Sequence, residues 1–259
     1  MDICIISPVS NLEVMNLGDR IFGLAHLWEK FPHYREFLKK KKQEGKFIIM
    51  DCSAAERALV TEEILLDICE ELMPNEVIAP DVLFNSEKTK ENLESFLIKM
   101  KERDLLGKIE IFFCPQGKTQ KEWLDCYKYG LNHIEVDVIG FSKIAVPKAW
   151  LGCDNDQGIM EGRHNCYNYL KVNDLLHKPI HCLGQGNPKE FAYYQHPMMR
   201  STDSVFPVLA AMEGQDFWND PFERIPTPHN FLETAQLDGT NLPLIEGNVN
   251  YLRKFAQKR

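Results

Sequence analysis

The chain has 259 residues, 44% of them hydrophobic and 26% charged, which is enough to bury one sizeable core. Thirty Lys and Arg against 38 Asp and Glu give a net charge of −8. That excludes a generally basic nucleic-acid coat and leaves only a local basic face open. The start, Met-Asp-Ile-Cys-Ile-Ile-Ser, lacks the basic flank of a signal peptide, and no apolar run approaches membrane length. Eight cysteines are scattered with no Cys-x-x-Cys among them. The expectation is a reduced, soluble, intracellular protein with no membrane partner, folded as one domain over residues 1–259.

Ile3–Ser7 is a β-rich apolar run ended by Pro8, and predicts a first strand. Asn16–Phe31 places apolar residues at helical spacing, and Tyr34–Gln43 predicts a helix with a basic outer face that Gly45 stops. The apolar run Phe47–Met50 delivers Asp51 at its end. Ala54–Leu72 then reads as a helix whose apolar face is Leu59, Ile64, Leu65, Ile68 and Leu72. The rhythm repeats: Glu76–Pro80 leads to Asp81 and the helix Ser86–Arg103; Ile109–Cys114 ends at Pro115-Gln116-Gly117 before the helix Thr119–Tyr129. Val136–Ile139 leads to Gly140, Phe141, Ser142 and Lys143, followed by an irregular Gly152–Gly162 loop and a helix within Gly158–Lys178. Pro179–Leu183 leads to Gly184-Gln185-Gly186-Asn187-Pro188, a helix starts at Pro188–Tyr194, and Met199 carries the chain to Asp203. Beyond Gly214 the chain is rich in Pro, Asn and Gly, with Leu242–Ile245 its only β-like run.

Apolar strands alternating with amphipathic helices imply a parallel sheet, because each crossover helix covers a sheet face. Seven such units at spacings of roughly 30 residues predict a (β/α)8 TIM-like barrel with an irregular C-terminal segment. The eighth unit is not evident, so an open doubly wound sheet is the alternative. In the barrel, Asp51, Asp81, Gln116, Gly140, Gly184 and Asp203 gather at one rim. Ser201, Thr202 and Ser204 surround Asp203, with Arg200 nearby. These hydroxyls can donate to the carboxylate and hold it for attack on an electrophilic sugar carbon. A capped turn after a strand is the bland reading of the same residues. A planar purine-like base offers an N–H that Asp81 accepts and a carbonyl to which Gln116 or a backbone N–H donates. Asp51 suits proton transfer, although it also rivals Asp203 as the attacking group.

From Phe47 to Pro207 the order of these elements resembles the tRNA-guanine transglycosylase superfamily, and within it the small phage and bacterial relatives that insert 7-deazaguanines into DNA. The residues that carry the resemblance are Asp51-Cys52-Ser53-Ala54-Ala55, Ala79-Pro80-Asp81 with Thr89, Gln116-Gly117-Lys118, Ile139–Ala145, Leu183-Gly184-Gln185-Gly186-Asn187-Pro188 and Asp203. The resemblance implies Asp203 as nucleophile and Asp51 in proton transfer. Asp81, Gln116, Gly117, Gly140, Gly184 and Gly186 would bind the base. The family's glycine pair after the first aspartate is Ala54-Ala55 here, and the second glycine after Gln116 is Lys118, either a phosphate contact or a solvated lysine. Nothing resembling the zinc element Cys-x-Cys-x-x-Cys follows Asp203, and Cys153, His164 and Cys166 lack a fourth ligand at sensible spacing, so neither metal nor cofactor is expected. That absence implies DNA, with a 7-deazaguanine base, over tRNA as partner, in a bacterial or phage-infected cytoplasm. The alternatives are a zinc-independent tRNA enzyme, a hydrolase of free nucleosides and a non-catalytic partner subunit. Polyanion binding calls for clustered cations, with Lys118, Lys143, Lys148, Arg163 and Arg200 as candidates and a homodimer or partner protein as a further source.

Overall fold

The computed structural model describes residues 1–55, 60–153, 158–220 and 225–257. Eight strands, β1 (Asp2–Ile5), β2 (Ile21–Leu24), β3 (Ile48–Asp51), β4 (Glu76–Ile78), β5 (Glu110–Phe113), β6 (Val138–Ser142), β7 (Ile180–Leu183) and β8 (Met199–Ser204), form one sheet. Its order is β1-β8-β7-β6-β5-β4-β3-β2, and every pair is parallel. The helices are α1 (Ala25–Lys30), α2 (Pro32–Gln43), α3 (Glu62–Leu72), α4 (Ser86–Glu102) and α5 (Gln120–Asn132), then α6 (Ala145–Leu151), α7 (Ile159–Val172), α8 (Phe206–Met212), α9 (Phe231–Thr234) and α10 (Leu242–Ala256). This is the (β/α)8 TIM-like barrel, nearly closed.

The seam lies between β1 and β2. A single parallel bridge, Cys4 to Arg20, joins them. Asp19 reinforces it: its amide donates to Ile3 O at 2.7 Å and its carboxylate accepts from Ile3 N at 2.9 Å. The chain passes so close here that a Cβ on Gly18 would lie 2.9 Å from Ile5 N. Only glycine permits that approach.

β2 is the eighth unit missing from the sequence reading. Asn16–Phe31 is not one helix but the end of a 3-10 turn (Leu12–Leu17), β2, and then α1. β2 runs into α1 with no intervening Gly, Pro or Asn turn, and Ile21, Phe22, Leu24, Ala25, Leu27 and Trp28 are all buried. A strand buried on both faces followed at once by a helix therefore shows a spacing that mimics one helix. Leu242–Ile245 is likewise not a strand but the first turn of α10. Ile245, Val249 and Leu252 of that helix pack with Ile3 and Ile5 of β1 and Val208 of α8. β6 is displaced two residues from its expected start, which puts Gly140 inside the strand. α3 begins only at Glu62, with Thr61 capping Ile64 N. Leu59, assigned to its apolar face, lies outside the described residues. The Pro188 helix is a 3-10 turn, Pro188–Tyr193.

Charged residues close the N-terminal end of the barrel. Glu76, fully buried at the start of β4, receives two bonds from Arg200 of β8, at 2.6 and 2.8 Å, and one from Arg20 at 3.3 Å. Arg20 also pairs with Asp2 at 2.8 Å. Burial, with the Glu76 charge adding to it, holds the Glu110 carboxyl above its usual range. Arg200 thus belongs to the floor of the barrel and not to a basic rim. Removing one partner of a buried ion pair leaves the others uncompensated, so Glu76→Ala should cost about 3 kcal/mol in urea unfolding. A loss below about 1 kcal/mol would mean that the floor is solvated and contributes little.

Candidate active site

The opposite end opens into a cavity of about 790 Å³. Of the residues that the sequence singles out, Asp51, Asp81, Gln116, Gly184, Gly186 and Asp203 line it. Gly117 and Gly140 are not among its lining residues: Gly117 packs on the Trp123 backbone, and Gly140 on the Phe112 and Leu183 side chains. The segment Thr227–Glu233 forms part of the cavity wall, tied down by Val9 N donating to Leu232 O at 2.8 Å and by the Lys30–Glu233 ion pair.

Asp203 lies one residue from the end of β8 and is 5% exposed. Its Oδ1 accepts from His181 Nε2 at 3.1 Å and from Gly184 N at 2.9 Å. Among the described residues Oδ2 has no hydrogen-bond donor. The neighbouring hydroxyls do not hold the carboxylate as expected. Thr202 donates to Cys182 O and Ser204 to Gln185 O, each at 2.7 Å. Alternate side chains of a strand point to opposite faces, so these two point away from the interior face that carries Asp203. Ser201 shares that face one layer lower, where its Oγ lies 2.8 Å from His181 Nδ1.

His181 is the functional residue that the sequence reading missed. It sits fully buried on β7 between the rings of Phe22 and Phe112, with centroids at 5.5 and 5.4 Å. Burial lowers its pKa from the ordinary value, against a smaller raising effect of the Asp203 hydrogen bond. A neutral ring has one donor and one acceptor, and the network assigns them: Nε2–H donates to Asp203 while Nδ1 accepts from Ser201. Ser201 Oγ in turn accepts from Arg200 Nε at 3.1 Å. A polar chain thus links the floor to the mouth. The available signal was a polar residue in Ile180-His181-Cys182-Leu183, a strand otherwise apolar on both faces.

On the other side, Gln116 is fully buried at the end of the β5 segment. Its Nε2 donates to Asp81 Oδ2 at 2.5 Å and its Oε1 accepts from Phe84 N at 3.0 Å. Gln116 therefore aims Asp81, with its carbonyl already engaged. The Cys52 thiol donates to Asp81 Oδ1 at 3.4 Å. Burial, strengthened by the Asp81 and Asp51 charges, pushes the thiols of Cys52 and Cys114 well up and keeps them protonated. Asp51 ends β3, half-buried. Two residues on, Ser53 takes a left-handed φ of 63°, and its Oγ lies 2.9 Å from Nδ1 of cavity-lining His26. Burial lowers the His26 pKa as well.

Gly184 turns the chain after β7 with φ +69°, and a Cβ there would lie 2.3 Å from Lys143 Cδ. Behind this turn sits Arg163, fully buried, donating to Phe141 O at 3.2 Å and Leu183 O at 2.9 Å and paired with Glu190 at 2.8 Å. Arg163 is a strut for the turn and contributes nothing to a basic rim. Lys118 is exposed and is not among the lining residues, which leaves Lys143 as the one Lys or Arg lining the cavity among the described residues. Cys166 lies in the core and His164 stacks on Tyr193; among the described residues no three His, Cys, Asp or Glu are placed to hold a metal ion. Among the same residues no helix is long and apolar enough to cross a membrane. No protein-family model matches the chain, and no curated protein matches it.

The site offers a fixed carboxylate with one open oxygen, two further carboxylates around the rim, and thiols too basic to compete as nucleophiles. Its pH behaviour follows from His181. In the unfolded chain this ring titrates near 6.5, whereas in the folded protein it stays neutral to lower pH. The unfolded state therefore binds the proton first as pH falls, and stability drops below about pH 6.5 by up to about 1.4 kcal/mol per unit. His181→Gln keeps a donor but cannot titrate. The stability advantage of the wild type over this variant should shrink between about pH 7.5 and 5.5 in unfolding titrations. An advantage that is flat with pH would mean that folding leaves the titration of His181 unchanged.

Proposed function

We propose that the protein is a base-exchange transglycosylase that replaces guanine in DNA by a 7-deazaguanine through a covalent aspartyl-glycosyl intermediate. The observation that carries this reading is the Asp203 carboxylate, with Oδ1 fixed by two N–H donors and Oδ2 open, set across the barrel from Asp81. β8 and β4 lie four strands apart whichever way the sheet is followed, so these two carboxylates face each other diametrically. A nucleotide between them presents its anomeric carbon to one and its base edge to the other. The cavity, at about 790 Å³, is within the range of sites that enclose ligands of this size.

In the proposed reaction the target nucleotide is flipped from its stack. Asp203 Oδ2 attacks C1′ as the bond to guanine N9 breaks, and Asp51 supplies the proton that the departing base needs. A 7-deazaguanine then enters, Asp51 takes its ring proton, and the base attacks C1′ to release Asp203. Two displacements retain configuration, and no external energy source is required. Asp81, aimed by Gln116, accepts an N–H of either base, and rejecting a base without that group follows from the lost partner of a half-buried carboxylate. Lys143 is the cation available to a flanking phosphate. The resemblance to the guanine transglycosylases supports the same assignment of roles. No cysteine follows Cys182, so the zinc element of the tRNA enzymes has no counterpart here, which favours DNA as acceptor.

Asp203→Asn should form no covalent protein–DNA adduct on denaturing gels with guanine-containing DNA, and exchange should fall by at least about 10³-fold. Asp51→Asn should still bind DNA and still form the adduct, more slowly than the wild type because the departing guanine lacks its proton donor. An adduct that persists in Asp203→Asn and vanishes in Asp51→Asn would reverse the two roles. Asp81→Ala should abolish guanine exchange, with the fold retained at a cost of about 1–3 kcal/mol because buried Gln116 Nε2 loses its acceptor. Normal exchange by this variant would remove Asp81 from the base site.

A further inference from the structure

Gln185 lies between the two glycines of the β7 turn, and its main chain is fully engaged. Its N–H donates to Asp203 O at 2.8 Å, and its carbonyl accepts from Ser204 Oγ at 2.7 Å. Among the described residues its side chain has no partner: the residue is 3% exposed and lines the cavity, yet neither Nε2 nor Oε1 is hydrogen-bonded. Buried amides are ordinarily bonded at both ends, and an orphaned one needs a reason outside the fold. Gln116 is the contrast: equally buried and on the same rim, it uses both ends of its amide on Asp81 and Phe84.

We infer that Gln185 holds the pentose of the nucleotide that Asp203 attacks, which rests on the base-exchange reading. Three observations select the pentose. Gln185 is hydrogen-bonded through its backbone to Asp203 itself and lines the same cavity, which puts the residue beside the attacked carbon. The carboxylate that suits a base edge, Asp81, is on the far side of the barrel. A neutral amide, with one acceptor and two donor hydrogens, matches a sugar hydroxyl and ring oxygen; a phosphate is better served by a cation, and Lys143 supplies one.

The test combines stability with kinetics. Gln185→Leu and the unbranched Gln185→Met remove both polar atoms at similar volume. Since none of the described residues hydrogen-bonds to them, each variant should melt at or above the wild-type temperature. In exchange assays with labelled guanine and an oligonucleotide containing a single target guanine, KM for the DNA should rise about tenfold, with KM for free guanine within twofold of the wild type. A lowered melting temperature in both variants would mean that the amide is already satisfied in the free protein, through buried water, and would overturn the inference. Unchanged kinetics would do the same. A rise confined to KM for free guanine would move Gln185 to the base edge and overturn the pentose assignment. Absence of exchange by the wild-type protein is a distinct result, independent of Gln185, and would remove the base-exchange reading together with this one.

Discussion

The hydrogen bond from His181 to Asp203 is the interaction on which the site depends. A carboxylate this deep in a barrel costs several kcal/mol unless donors meet it. Among the described residues they come from β7 and the turn that follows it: one from the His181 ring, one from the Gly184 backbone. β7 and β8 must therefore hold their register, and the ladder shows how. A shift at Ile180/His181 brings His181 opposite Ser201 and Cys182 opposite Thr202. Arg163 and Glu190, both buried, brace the turn that carries the second donor. Phe22 and Phe112 enclose the histidine ring and keep it neutral, which fixes the direction of the donated proton. The chain Glu76–Arg200–Ser201–His181–Asp203 thus joins an ion-paired floor to a carboxylate whose second oxygen stays open.

Much of this arrangement was legible in the sequence. The rhythm of apolar strands and amphipathic helices gave the barrel, because parallel strands covered on both faces must read as apolar runs. The residue following each run gave Asp51, Asp81 and Gln116, since strand ends in this fold converge on one rim. The seven-strand reading failed at β2, where strand passes to helix without a turn residue, and at α10, where Leu242–Ile245 carries no mark separating a strand from a helix's first turn. The environment of Asp203 was the larger gap. Neighbours in sequence, Ser201, Thr202 and Ser204, were natural donors on paper. The pleat turns two of them outward, and the donors are the His181 ring and the Gly184 N–H, on and just after the neighbouring strand. Long-range pairing of this kind has no local signal. Arg163 and Arg200 misled for a related reason: a cation's sequence position says nothing about whether a buried glutamate has claimed it.

The proposed exchange and a simple nucleoside hydrolysis share their first half, and differ in what attacks the sugar second. The Thr227–Glu233 segment bears on that choice. Anchored by Leu232 to Val9 and by Glu233 to Lys30, it forms part of the cavity wall, and in the proposed reaction a base seated against that wall would displace water and serve as the second nucleophile. In the proposed reaction Asp81 and Gln116 work in the same direction, because a site that holds one base by a carboxylate holds its successor equally well. Lys143 is the one lysine or arginine lining the cavity among the described residues, so in the proposed reaction affinity for the polymer comes from the sugar and base contacts and from surfaces beyond the cavity.

The most direct measurement of the central claim is mass analysis of nucleosides digested from DNA and from tRNA after incubation with the protein and 7-deazaguanine bases. The account predicts a 7-deazaguanine deoxynucleoside in the DNA digest, one guanine released for each base inserted, and no change in the tRNA digest. Guanine release without insertion would indicate a hydrolase. Insertion into tRNA alone would contradict DNA as the acceptor, and no change in either polymer would contradict base exchange altogether.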